Sequence, residues 1–156
     1  MRKHILHSQP SPEVGEIPVA SIATVSVTSE DVGYPVDQAF DPHRGPGGTR
    51  WIAEQAGEQT IILAFDTPQT IRQVNLEFEE TEVSRTQELQ LAISNDGGEH
   101  YRELRRQEFN FSPGGATFER EEWTISEARV THLRIKIKPD KSGKPYRATL
   151  TSFVLR

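Results

Sequence analysis

The chain has 156 residues, a net charge of −5 and no cysteine. That excludes disulfide staples, thiol catalysis and Cys-based zinc sites, and it argues against a general nucleic-acid binder. A chain of this length is most simply one domain that buries about two-thirds of its unfolded surface and needs no metal to fold.

No run approaches the ~20 apolar residues of a membrane span. The N-terminal MRKHILHSQPSPEVGE has no apolar stretch of secretory length, so the chain as written is expected to stay in the cytoplasm. The charge is uneven. Residues 129–156 hold eight Lys/Arg and one Asp, which puts +7 in the C-terminal part and −12 in the rest.

In chain order, residues 1–16 are polar with two prolines and predict a loose arm, leaving 17–156 as the folded domain. Ile17–Ser29 is β-branched and predicts a strand. Pro35–Phe40 predicts one helical turn with proline at its start. The stretch Val36–Trp51, VDQAFDPHRGPGGTRW, then supplies a carboxylate, a glycine- and proline-rich loop and a tryptophan entering a strand. Glu58–Phe65 predicts a buried strand, Asp66–Thr70 a turn around Pro68, and Ile71–Glu79 a strand with Val74, Leu76 and Phe78 inward and Gln73, Asn75, Glu77 and Glu79 outward. Gln87–Asn95 predicts a strand closed by the Asn95-Asp96-Gly97-Gly98 turn. Further strands are predicted over Tyr101–Phe109, Ala116–Ile125, Val130–Lys138 and Ala148–Leu155. The most regular is Val130–Lys138, with Leu133, Ile135 and Ile137 inward and Arg134, Lys136 and Lys138 outward. Period-2 alternation with regular turns and no long helical period predicts an all-β antiparallel sandwich of about eight strands.

In this order, Tyr34-Pro35, Ala39-Phe40-Asp41, Thr49-x-Trp51, Phe65-Asp66, Ser94–Gly98 and the Leu133–Ile137 strand resemble the discoidin (coagulation factor 5/8 type C) domains across roughly residues 22–155. The resemblance implies a galactose-binding-like jelly-roll sandwich and a binding module, not an enzyme. It also implies a structural calcium on Asp41, the Thr49 hydroxyl and the Ala39 carbonyl. Pro42 stands where the family commonly has glycine, and Ser152 where it has a glutamate ligand. The alternative for Asp41 is that it caps its own turn.

The resemblance implies loops at one end of the sandwich as the ligand site, with Tyr34, His43, Arg44 and Arg85 as binding residues. A carbohydrate is the expected ligand, through aromatic contact and charge-assisted hydrogen bonds. The alternative is an intracellular protein-interaction or scaffold domain of the same fold. A rival surface is the cationic face of Arg134, Lys136 and Lys138. The acidic run Glu77, Glu79, Glu80 and Glu82 has the residue type of a glycosidase pair, but outward carboxylates on a strand more simply face Arg or Lys across the sheet. His4, His7, His43, His100 and His132 show no metal spacing.

Overall fold

The computed structural model describes Met1 and residues 15–156. The arm predicted for residues 1–16, with His4 and His7, falls almost wholly outside the described residues. The described chain is all-β: β1 Ala23–Val27, β2 Trp51–Ala56, β3 Gln59–Glu79, β4 Arg85–Ser94, β5 Arg102–Phe111, β6 Phe118–Lys138, β7 Arg147–Leu150 and β8 Ser152–Leu155, all paired antiparallel. Helix is confined to one α-turn, Val19–Ile22, and one 3₁₀ turn, Val36–Ala39. No helix among the described residues is long and apolar enough to cross a membrane.

The large sheet runs β1-β3-β6-β4-β5, with β8 also on β3, and β2 pairs β7 separately. Two strands of 21 residues carry the architecture. The first half of β3 lies between β1 and the second half of β6; its second half lies between β8 and the first half of β6. Between the halves the register shifts at Ala64–Gln73, and Arg129 in β6 takes φ 54°. Such irregularities bend a strand. The sheet therefore folds over itself: Phe78, late in β3, meets Phe109 of β5 at the far edge, with ring centroids 5.7 Å apart. The side chain of Asn95 holds the bend in β6 by donating to the carbonyls of Ala128 and Arg129, at 3.0 and 2.9 Å.

The core follows the pleat. Ile61, Ile135 and Leu91 form one cross-strand row, and Leu63, Leu133 and Ile93 the next. All six are essentially without exposure. Trp51 is fully buried and donates its indole N–H to the Ser29 carbonyl at 3.0 Å. Phe109 and Phe111 also face inward, as their alternation predicts.

Four sequence expectations are corrected. Ile17–Ser29 is not one strand, because the Pro18 carbonyl accepts the N–H groups of Ser21 and Ile22 and winds a turn before β1. The turn expected at Asp66–Thr70 is instead bulged strand: the ladder is already interrupted there, so Pro68 removes no needed donor. The strands predicted over Ala116–Ile125 and Val130–Lys138 are halves of β6. The final strand is split at Thr151, so that β7 joins β2 and β8 joins β3.

Leu76, Leu91 and Ile135 are each fully buried at mid-strand. Truncating any of them to Ala is expected to cost about 2–5 kcal/mol in urea melts. A second prediction concerns pH. Glu119 and Glu121 of β6 pair with Phe78 and Leu76 and so share their side of the sheet. Burial pushes the Glu121 carboxyl up to about 7, and the hydrogen bond its protonated form donates to Glu119, with the like charge of Glu119, adds to this. A folded pKa above the unfolded one contributes stability at low pH that is lost as pH rises through about 7. The lowered carboxyls of Asp31, Asp96, Glu108, Glu127 and Asp140 act below the ordinary carboxylate range, outside that window. Stability should therefore fall between about pH 5 and 8, and Glu121→Gln should flatten the fall in urea melts across that range.

A candidate ligand-binding cleft

The loop between the 3₁₀ turn and β2 is built from its own polar groups. Asp41 caps it: one carboxylate oxygen accepts the His43 N–H at 2.9 Å and the other accepts the Thr49 hydroxyl at 2.5 Å. Gly45 and Gly47 sit at φ 87° and 77°, which glycine adopts without strain. A side chain at Gly48 would meet the His43 carbonyl at 2.7 Å.

The loop then docks on β3. The Gly45 N–H donates to Glu77 Oε1 and the Gly47 N–H to Glu79 Oε2, both at 2.8 Å. Glu77 Oε2 accepts two bonds from the Arg120 guanidinium, at 3.0 and 3.1 Å, and Arg50 lies 3.5 Å from Glu79. Glu77 does face an Arg across the sheet, as its outward position predicts. It is nevertheless buried, because the glycine loop covers it.

Beside this clamp lies a cleft of about 840 Å³. One wall is the Asp31–Tyr34 turn, where Gly33 N–H donates to Asp31 Oδ1 and Tyr34 N–H to the Asp31 carbonyl, both at 2.9 Å. Its backbone is tied to β2, since Ile52 N–H donates to the Tyr34 carbonyl at 3.2 Å. Tyr34 is 44% exposed. The opposite wall is Glu79 with the loop through Val83, and Tyr146 and Arg147 close the third side. Arg147 holds Asp31 at 2.9 Å. The Gly33 N–H first, and Arg147 second, keep the Asp31 carboxyl below its ordinary value.

The structure brings together only part of the expected set. Tyr34 and Thr49 line the cleft; His43, Arg44 and Arg85 do not. His43 is exposed on the loop. Arg44 reaches Glu16 with two bonds of 2.7 and 3.1 Å, and borders a separate cavity of about 210 Å³ with Ile17, Phe40 and Phe153. Arg85 is 4% exposed. It opens β4 opposite Phe111, an inward register position, and its guanidinium lies 5.3 Å over that ring. It donates to Glu80 at 2.9 Å, to Gln87 at 3.2 Å and to the Pro139 carbonyl at 2.7 Å. Burial lowers its pKa and Glu80 opposes the shift. Arg85 thus braces the cleft wall from inside through Glu80.

Sequence reasoning missed Gln38, Arg50, Tyr146 and Arg147 as cleft residues. Tyr146 follows a Ser-Gly-Lys-Pro loop, the same loop-tip aromatic signal that marks Tyr34, and it carried the information needed.

Calcium takes six to eight oxygens with carboxylates supplying charge. At Ala39, Asp41 and Thr49 there is one carboxylate, and each of its oxygens accepts a hydrogen bond from within the loop. A different group, Asp96, Glu99 and His100, places ligand-type atoms within 4.8 Å of one another on the exposed turn after β4. Hydrogen bonds from the His100 N–H, from Ser94 and from the His100 ring hold Asp96 well below the ordinary carboxylate range.

The clamp makes a prediction. Glu77→Ala leaves the Gly45 N–H and the Arg120 guanidinium without their partner and should cost about 2–4 kcal/mol in urea melts. Glu54→Ala, at an exposed position on β2, should stay within about 0.5 kcal/mol.

No family model and no curated protein sequence matches the chain. Solved structures do match. A CBM32 module from a family 31 glycoside hydrolase of Clostridium perfringens superposes with TM-score 0.65 at 14% identity, covering 93% of this chain and 98% of that one. A pectin-binding carbohydrate-binding module gives TM-score 0.60 at 19% identity, covering 86% and 90%. A chitosan-binding module from a Paenibacillus sp. IK-5 chitosanase/glucanase gives 0.57 at 21% identity, covering 90% and 98%. The bent antiparallel sheet and these superpositions show that the chain has the β-sandwich fold of the CBM32 carbohydrate-binding modules.

Proposed function

We propose that the protein is a non-catalytic carbohydrate-binding module whose ligand sits in the cleft beside the glycine loop. The observation that carries this reading is the cleft itself: a concavity of about 840 Å³ with an exposed tyrosine ring held on a turn whose backbone is locked to β2. Tyrosine offers a flat apolar face for the C–H side of a sugar and a hydroxyl at its edge. Around it the Gln38 amide, the Thr81 hydroxyl and the Arg and Glu side chains offer donors and acceptors at the density that fixes a polar ligand's orientation. The solved structures of the same fold are carbohydrate-binding modules, which supports the same class. Binding in this reading needs no metal, because Asp41 already closes the loop.

A glycan array, followed by titration of the best ligand, tests it. Tyr34→Ala should weaken that ligand roughly tenfold, the order of one lost aromatic contact. Lys136→Ala, on the outer strand face, and added EDTA should leave affinity unchanged. Binding that survives Tyr34→Ala, falls in Lys136→Ala and weakens steeply with salt would move the site to the cationic face of β6.

A further inference from the structure

Resting on the carbohydrate reading, the charge arrangement of the cleft narrows the ligand. Each arginine lining the cleft already faces a carboxylate. Arg50 lies 3.5 Å from Glu79. Arg147 is 2.9 Å from Asp31 and also donates to the Ala53 carbonyl at 3.4 Å. Arg85, behind the wall, donates through Nε and Nη1 to Glu80, Gln87 and the Pro139 carbonyl, and its Nη2 has no hydrogen-bond partner among the described residues.

Among the residues that line the cleft, carboxylates outnumber cations three to two. Glu79, Glu80 and Glu82 line the cleft against Arg50 and Arg147. The first two are occupied: Glu79 Oε2 takes the Gly47 N–H, and Glu80 takes Arg85 and the Glu82 N–H. The carboxylate of Glu82 is exposed on the loop between β3 and β4, and no side chain or N–H among the described residues pairs with it. Among the described residues, no hydrogen bond holds the ring hydroxyl of Tyr34 or of Tyr146.

We propose that this cleft takes sugars without a carboxylate and favours an amino sugar, whose ammonium or hydroxyl protons meet Glu82, over a uronic acid. A carboxylate on the ligand would enter a net negative site and compete with Asp31 or Glu79, which already face the two arginines of the lining. An ammonium group would supply the donor that Glu82 lacks.

The test compares sugars that differ in one group. Galactosamine, galactose and galacturonic acid, and the matching gluco series, are titrated against the intact protein below the pKa of the amine. The expected order is amino sugar, neutral sugar, uronate, with about tenfold between the extremes. Glu82→Gln should bring the amino sugar and the uronate together. Tyr34→Ala should weaken all of them in parallel. A uronate that binds as tightly as the amino sugar, or an order unmoved by Glu82→Gln, overturns the charge inference. If Tyr34→Ala still weakens that uronate, the carbohydrate reading stands. Absence of binding by both series overturns both.

Discussion

Two carboxylates at the end of one strand hold the cleft end of this molecule in shape. Glu77 and Glu79 stand two residues apart on one face of β3, about 7 Å along the strand. Gly45 and Gly47 are also two residues apart, and each gives its N–H to one of those carboxylates at 2.8 Å. The strand thus imposes its own repeat on a loop that has none. Phe78, between the two glutamates, points the other way and packs on Phe109. One short piece of backbone therefore anchors the core and the loop together. Where related chemistry would use an ion to gather loop oxygens, this loop turns its N–H groups outward to side-chain carboxylates and closes the remainder with Asp41 and Thr49.

That anchoring depends on the two long strands. Because β3 and β6 pass through both halves of the folded sheet, a side chain late in β3 has its position set by pairings at β8, at β6 and across the interior at once. Local softening of the cleft is then resisted by a frame of many cross-strand pairs, while the groups that meet solvent at the rim, Tyr34, Thr81 and Glu82, carry little of the packing. Rigid sheet and adaptable loop are separated along the chain, as in other loop-borne sites.

Much of the frame was legible in the sequence because burial writes itself in period 2. Leu133, Ile135 and Ile137 alternate with Arg134, Lys136 and Lys138, and the structure buries the first set and turns out the second. What alternation cannot see is whether two strands separated by an irregular stretch are one. Pro68 and Arg129 mark bends, and a bend and a turn have the same local chemistry. The site was less legible for a different reason. Tyr34 was found because an exposed aromatic on a loop is unusual in itself. Arg85 lies two residues before the predicted start of the strand, but it has the parity of Leu89, Leu91 and Ile93, and β4 begins early enough to turn it inward onto Phe111. Tyr146 and Arg147 reach the cleft through the pairing of β7 with β2, a contact between residues 97 positions apart (Ile52 with Thr149) that no local pattern records.

The folded chain also closes on itself. The Ile17 N–H donates to the Leu155 carbonyl at 2.8 Å, and the Arg156 carbonyl accepts from Arg72 and Gln73. Entry and exit of the sandwich therefore share one spot, stitched by backbone. The order in which strands leave a ribosome is then incidental to the finished object: a circular permutant joining residue 156 to residue 17 through a short linker, and opened at the exposed tip of the Ser112–Gly115 turn, would keep every sheet pairing and the cleft with them. Tension applied across the two ends would load that stitch before it loads the clamp, so the cleft is mechanically downstream of the seam.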